Sequence, residues 1–193
     1  MWQARLTTIR TLVRQNHSVF VADTDAIWTK YIPLSSLPVG YDVYQSKVFQ
    51  RPLWAVKLWG FGICGCNAAF KPTRNAVELL DTLIARCHRC DDQALINQVY
   101  HSERFYDMQF STTELTAPWN GSVVGRPGKT AGKSIKLLVF HENLVVRGDS
   151  VGDCEKSWIV HPISDHRGSN KIDSFKSLSA CMKVKVWDIF DRK

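Results

Sequence analysis

SVFVADTDAIW, at residues 18–28, joins an uninterrupted apolar run to two aspartates that are separated by one residue. The apolar run, residues 18–22, predicts a short buried β-strand. Residues 2–15 before it place apolar side chains at helical spacing, so an amphipathic helix leads into that strand. A helix followed directly by a fully apolar strand is typical of an α/β fold with parallel strands. The sequence therefore predicts an α/β domain in which Asp23 and Asp25 lie at the carboxyl end of a strand, the edge where such sheets bind ligands.

The composition limits the class of protein that the chain can belong to. Its 193 residues are 45% hydrophobic and 22% charged, which is typical of a globular domain and excludes a disordered chain. The formal net charge is +7, from 25 lysines and arginines against 18 aspartates and glutamates, but the cations are scattered along the sequence. Without a Lys/Arg-rich run, we expect no nucleic-acid partner. The apolar runs are far shorter than the ~20 residues of a membrane span, so we expect a single soluble domain over residues 1–193.

Downstream of the aspartates, the pattern alternates between short strands and helices. Residues 61–70, FGICGCNAAF, mix glycine with small apolar side chains, which suggests a strand that other backbone approaches closely. Asp91 is suited to be the N-cap of the helix that follows it. The remaining predictions are a helical turn at 26–31; strands at 41–45, 135–140, 158–161 and 184–187; helices at 73–87, 91–99 and 171–178; and loops at 51–60, 111–136 and 164–170.

Six cysteines leave three interpretations open. Four of them form a C-x-C pair, Cys64 with Cys66, and a C-x-x-C pair, Cys87 with Cys90, spacings at which two thiolates can share one zinc ion. The same pairs can form disulfides. Cysteine also serves as a small buried apolar residue, and the C-x-C pair lies on a predicted strand. We expect buried thiols and retain zinc ligation and disulfides as alternatives.

Asp23 and Asp25 form the first candidate site. Two carboxylates one residue apart at a strand end can hold a divalent cation together, directly or through water. A cation at this position neutralises a diphosphate and stabilises it as a leaving group. The structural alternative is a capped turn, because aspartate after a strand often accepts hydrogen bonds from local backbone N–H groups.

Four further residues carry side chains suited to the same chemistry. Asp92 and Gln93, at the start of a predicted helix, can exchange hydrogen bonds with sugar hydroxyls, or they can serve the helix terminus alone. His161 follows the predicted strand and can ligate a metal or contact phosphate, although an isolated histidine is more often a surface residue. Lys171 follows a Gly-Ser-Asn loop that could place its ammonium group beside phosphate.

Taken in order, these motifs resemble one protein family. They are VFVADTDAIW after a helix, the glycine-rich strand GICGCN, DDQALIN at a helix start, WIVHP, and a downstream lysine. The chain resembles the nucleotide-diphospho-sugar transferase domain of glycosyltransferases with the GT-A fold, a group that includes plant-type arabinosyl- and xylosyltransferases. The resemblance extends over residues 2–181. It implies a mixed sheet flanked by helices, a manganese or other divalent cation, a nucleotide-diphosphate sugar donor, a glycan or protein acceptor, and a location in the Golgi lumen or at its membrane.

The resemblance also implies roles for individual positions. The D-x-D motif of the family binds the metal together with the phosphates and ribose of the donor, and a strand and a D-Q pair line the sugar pocket. The implied residues are a metal set of Asp23, Asp25 and His161; a donor-binding set of the same aspartates with Cys64, Gly65, Asn67 and Lys171; and a catalytic pair, Asp92 and Gln93.

Two features depart from the family pattern. The family domain begins with further strands and helices that hold the nucleotide base, whereas this sequence has one helix before the D-x-D motif. Cys181 stands where the family has an aromatic residue, usually tryptophan. We therefore expect a partial domain that lacks the first nucleotide-binding strands and whose exposed sheet edge favours self-association. The alternative functions are a catalytically inactive relic of the fold and a zinc-stabilised binding module.

Overall fold

The computed structural model describes residues 2–24, 26–30, 33–88, 90–142, 144–148 and 157–162. At residues 27, 146–148, 161 and 162 it describes the backbone alone. The chain divides into two compact units. The first comprises Met1–Ala22 with Leu37–His141, and the second comprises Asp23–Ser36 with Glu142–Lys193. A single partial domain stays a prediction. The predicted loop at 164–170, helix at 171–178 and strand at 184–187 lie outside the described residues.

Within the described residues, the regular structure consists of helices and short strands. The helices are α1 (Trp2–Arg14), α2 (Leu53–Trp59), α3 (Arg74–Arg86) and α4 (Asp92–His101), with a 3₁₀ turn at Leu34–Ser36. The strands are β1 (Val19–Ala22), β2 (Ile27–Trp28), β3 (Val43–Val48), β4 (Gly62–Phe70), β5 (Met108–Thr112), β6 (Val123–Pro127), β7 (Leu137–Phe140), β8 (Val145–Gly148) and β9 (Ile159–Pro162).

The first unit is built on a six-stranded mixed sheet with the order β1-β4-β3-β7-β6-β5. Strand β4 pairs antiparallel with β1 and with β3, and β3 pairs parallel with β7. Strands β5, β6 and β7 continue the sheet as antiparallel neighbours. The mixed α/β class expected from the sequence is confirmed, with helices packed on the sheet.

Strand β1 differs from its prediction in direction and in burial. It lies at one end of the strand order and runs antiparallel to β4, and all four of its residues are half-buried rather than fully buried. Asn16, with φ at 67°, turns the chain between α1 and β1. The prediction of a parallel strand was wrong because a helix–strand connection does not fix the direction of the strand that pairs with it.

The core of the first unit lies between the sheet and helices α1 and α3. Leu79, Leu80 and Leu83 of α3 are buried there together with Ile9 and Val13 of α1. At the surface of the same interface, the Asp81 carboxylate accepts hydrogen bonds from two arginines of α1, Arg10 at 2.8 Å and Arg14 at 3.0 Å. The two helices are therefore held together by apolar packing in the core and by salt bridges at the surface.

Several segments form elements that the sequence did not predict. Residues 51–60, expected as a loop, contain α2, which ends at Gly60 in the left-handed conformation with φ at 79°. The expected helical turn at 26–31 contains the strand β2 instead. The expected loop at 111–136 contains β6, which is paired on both sides. Strands β5 and β8 were also missed, because no strand was predicted at either position.

The second unit contains a three-stranded sheet with the order β2-β9-β8. Strand β9 pairs antiparallel with β2 and parallel with β8. Ile159 and Val160 of β9 are fully buried. Thr29 continues the pairing beyond β2, because its N–H donates to the Trp158 carbonyl at 3.0 Å and its hydroxyl to the Ser157 carbonyl at 2.6 Å.

The buried tyrosines of the first unit predict a loss of stability in alkali. Burial raises the pKa of Tyr44 from 10.0 to about 12 and raises the pKa values of Tyr100 and Tyr106 above the ordinary range. The unfolded chain therefore ionises first, so this stability is present below pH 10 and is lost as the pH rises from 10 towards 12. We expect each tyrosine to lower the free energy of unfolding by up to about 1.4 kcal/mol per pH unit in that window.

Urea unfolding at pH 9, 10 and 11 measures this loss. Tyr106→Phe is the matched variant, because the Tyr106 hydroxyl is buried and has no hydrogen-bond partner among the described residues. Removing such a hydroxyl costs little at neutral pH and should flatten the decline with pH. Equal slopes for the variant and the unmodified chain would show that Tyr106 does not contribute.

Candidate functional site

The ladder between β3 and β4 is interrupted at residues 64–67. The register passes from the pair Gln45–Ala68 to the pair Lys47–Ile63, so one residue of β3 faces four residues of β4. We call residues 64–67 the β4 bulge; they are the C-G-C-N segment of the glycine-rich motif. Bulges redirect side chains and end backbone pairing, and they are frequent beside binding sites.

Helix α4 begins against this bulge. Asp91 is the N-cap, as predicted, and its Oδ1 accepts a hydrogen bond from the Ala94 N–H at 2.9 Å. The carboxylate of the next residue, Asp92, lies over Gly65: a Cβ atom added to Gly65 would stand 2.3 Å from Asp92 Oδ2. Only glycine at position 65 leaves room for the carboxylate, so the two motifs that were identified separately in the sequence meet here.

Gln93 and Asn97 connect α4 to the backbone at the start of the bulge. The Gln93 amide donates to the Arg51 carbonyl at 2.5 Å, and its Oε1 lies 3.8 Å from Cys64 Sγ. Asn97 is fully buried; its Oδ1 accepts from the Ile63 N–H and its Nδ2 donates to the Ile63 carbonyl, both at 2.8 Å. The Asn97 amide thus replaces a strand partner for Ile63 where the ladder breaks.

A second polar side chain beneath the bulge comes from β3. Gln45 is fully buried and accepts a hydrogen bond from the Tyr100 hydroxyl of α4 at 2.6 Å. Its Nε2 donates to the Cys64 carbonyl at 3.5 Å. The sequence analysis did not identify Gln45 as a site residue; the only signal was a glutamine at the end of the predicted strand YDVYQ, residues 41–45.

Asn67 ends the bulge with an unpaired acceptor. The side chain is fully buried, and its Nδ2 lies 3.4 Å from Cys66 Sγ. Its Oδ1 has no hydrogen-bond partner within the described part of the chain. A buried acceptor without a donor costs free energy, and a ligand hydroxyl or a water molecule would satisfy it.

A narrow cavity of about 40 Å³ reaches the same cluster. Asp92, Gly65 and Gln45 line it together with Arg5, while most of its other lining residues are apolar. The Arg5 guanidinium stacks over the Trp2 ring at 4.7 Å from the ring centroid. The volume has room for a few water molecules.

The four described cysteines are paired as disulfides. Cys64 is bonded to Cys66 within the bulge, and Cys87 is bonded to Cys90 between α3 and α4. The expectation of free thiols is wrong for these four residues, and the disulfide alternative describes them. Among the described residues, no cluster of three or more histidine, cysteine or acidic side chains could hold a metal ion, so the zinc-module alternative has no support there.

The proposed metal set lies in the second unit. The Asp23 carbonyl accepts a hydrogen bond from the Ala26 N–H at 3.0 Å, so residues 23 and 26 lie close together. Val160 of β9 pairs with Ile27 of β2, so His161, the next residue of β9, follows beside the end of that turn. Asp25, Lys171 and the side chain of His161 are not among the described groups, and their roles stay predictions.

The two parts of the predicted site belong to different units. Cys64, Gly65, Asn67, Asp92 and Gln93 come together in the first, whereas Asp23 and His161 belong to the second. No protein-family model, curated protein or solved structure matches the chain. In the described part of the chain, none of the helices has the length and hydropathy needed to cross a membrane.

Proposed function

We propose that this chain is a metal-dependent glycosyltransferase domain of the GT-A type that transfers a sugar from a nucleotide-diphosphate sugar to a glycan, protein or other acceptor. The observation that carries the proposal is the meeting of Asp92 with Gly65 at the β4 bulge. In the family that the chain resembles, these two motifs surround the donor sugar. The resemblance requires these two motifs to lie close together in the folded chain, and Asp92 does lie against Gly65.

The side chains at the bulge are suited to a sugar. An ionised carboxylate such as Asp92 accepts hydrogen bonds from hydroxyl groups, and the amide of Gln93 both donates and accepts. The buried Oδ1 of Asn67 is an acceptor in need of a donor. Sugar hydroxyls can satisfy all three, because each one donates one hydrogen bond and accepts others. In the proposed reaction, Asp92 and Gln93 hold the sugar and the acceptor in place.

The residues of the metal set have the chemistry that manganese requires. Asp23 and Asp25 offer carboxylate oxygens and His161 offers an imidazole nitrogen, and divalent manganese accepts both kinds of ligand. When bound, the cation supplies charge neutralisation for the departing diphosphate. Lys171 is proposed to face the same diphosphate with its ammonium group.

The disulfides support the location that the resemblance implies. Cys64–Cys66 and Cys87–Cys90 are intrachain bridges, which form and persist in oxidising compartments such as the secretory pathway. A domain that works in the Golgi lumen would form them on the way there. In the reducing cytosol, the four cysteines would instead remain as free thiols.

Release of nucleoside diphosphate from a panel of nucleotide-diphosphate sugars tests the proposal. We expect manganese to stimulate release and EDTA to abolish it, and Asp25→Ala to eliminate manganese-dependent binding of the nucleoside diphosphate in titration calorimetry. Glu114→Ala, which removes an exposed carboxylate elsewhere, is the matched control and should bind normally. Circular dichroism confirms that each variant is folded.

The outcomes separate the two functional classes. Manganese-dependent nucleotide binding without release of product would favour an inactive relic of the fold. Binding that is unchanged in Asp25→Ala, or absent from the unmodified chain, would contradict the proposed metal site.

A further inference from the structure

A larger cavity of about 370 Å³ lies in the first unit, and none of its lining residues belongs to the β4 bulge or to the predicted donor site. Its walls come from the end of α3, from the turn at residues 104–105, and from Lys133. We call it the basic pocket and define it by Arg86, Arg104, Phe105 and Lys133. Its volume falls within the range of sites that bind small molecules.

Three cations converge on one aromatic ring in this pocket. The guanidinium carbons of Arg86 and Arg104 lie 5.3 and 5.7 Å from the centroid of the Phe105 ring, and the Lys133 ammonium lies at 6.0 Å. A ring face attracts each cation, and because all three side chains line one pocket, their like charges add to a positive potential there. Such an arrangement favours an anion that can lie among them.

The acidic side chains nearby do not neutralise this charge. Of the described residues that line the pocket, Asp81 is the one acid, and its carboxylate is already bound by Arg10 and Arg14 of α1. Among the described residues, neither Arg86, Arg104 nor Lys133 forms an ion pair with a carboxylate. The pocket therefore retains a net positive charge.

The backbone around the pocket is fixed in place. The Lys133 N–H donates to the Phe105 carbonyl at 2.9 Å, and its ammonium group donates to the Thr82 hydroxyl at 2.7 Å. Gly132 packs so closely that an added Cβ would stand 2.6 Å from the Arg104 carbonyl oxygen. These contacts hold the Lys133 segment against the turn that carries Arg104, so the pocket exists before any ligand binds.

We infer that the basic pocket binds a small molecule that carries two tetrahedral oxyanion groups, as phosphate or sulfate esters. Guanidinium groups match the oxygens of such groups with paired hydrogen bonds, and two arginines can serve two groups. The ammonium of Lys133 adds a point charge. The inference does not depend on the glycosyltransferase proposal, because it uses no residue of the predicted donor or metal site.

Titration calorimetry on the full chain tests the inference with pyrophosphate, inorganic phosphate and a disulfated disaccharide, all in EDTA. EDTA removes any binding that depends on a metal at the D-x-D motif, so failure here and failure of the proposed function are distinguishable. We expect pyrophosphate and the disulfated disaccharide, which each carry two anionic groups, to bind more tightly than inorganic phosphate, with affinity that falls as salt is added. The tighter of the two identifies phosphate or sulfate as the source.

Arg86→Gln and Arg104→Gln should each weaken binding of the preferred probe by at least about tenfold, since each removes charge-assisted hydrogen bonds. Both side chains are exposed, so the variants should keep the fold. Arg74→Gln is the matched control on α3, because Arg74 is paired with Glu78 and lies outside the pocket. Binding that is equal in the pocket variants and the control, or absent for every probe, would overturn the inference.

Discussion

Replacing Asn97 by alanine is expected to lower the free energy of unfolding by about 3 kcal/mol, because a buried N–H and a buried carbonyl each lose their partner. The Asn97 amide makes both hydrogen bonds of the Ile63 backbone and also donates to the Gln93 carbonyl at 2.6 Å. Alanine favours the helix slightly, so the loss comes from the unsatisfied strand and not from α4 itself. The Asn97 side chain therefore attaches the start of the β4 bulge to α4.

Urea denaturation of the two proteins measures the difference. Gln98→Ala is the matched control, because Gln98 is exposed at the next position of the same helix and should change the free energy of unfolding by less than about 0.5 kcal/mol. A loss below about 1 kcal/mol for Asn97→Ala would mean that water replaces the amide, and that α4 is not what holds the bulge.

Replacing Gly65 by alanine is expected to lower glycosyl turnover by about 100-fold, the effect of displacing a catalytic group by about 1 Å. The new methyl group would stand 2.3 Å from Asp92 Oδ2 and 2.9 Å from its Cγ, so the carboxylate must move. The obstacle is the end of a side chain and not backbone, which lets the fold adjust at low cost. We therefore expect Gly65→Ala to lower activity strongly and to change the free energy of unfolding little.

A double-mutant cycle with Asp92→Ala identifies the cause. If Gly65→Ala acts by moving the carboxylate, the double variant should be no less active than Asp92→Ala alone. The measurement is initial-rate release of nucleoside diphosphate, with thermal unfolding of each variant alongside. Additive losses would mean that Gly65 contributes by another route, and full activity in both single variants would remove Asp92 from the proposed reaction.

Elements with strong local signals were predictable. The apolar spacing in α1 and α3, the capping aspartate of α4 and the glycine-rich run of β4 each specify their own structure over one short segment. The corresponding predictions agree with the structure to within a few residues. Asp92, Gln93 and the C-G-C-N segment were also identified as single motifs, and the structure places them close together, while their roles stay predictions.

Elements that depend on distant partners were not predictable. Strand β2 exists because β9 pairs with it, and β6 because β5 and β7 lie on its two sides. The direction of β1 is likewise set by β4, and the bulge is visible only in the register between β3 and β4. No local pattern encodes these pairings, because a strand alone satisfies none of its backbone hydrogen bonds.

The positively charged side chains also separate what the sequence predicts from what only the tertiary structure decides. In the sequence, Arg86, Arg104 and Lys133 are separated by long intervals and look like ordinary surface cations. Composition and spacing were sufficient to establish a basic chain without a nucleic-acid patch, together with the helices and motifs described above. The convergence of three cations on the Phe105 ring, like that of Asp92 on Gly65, arises from long-range packing, because chain folding sets distances between side chains that sequence separation does not.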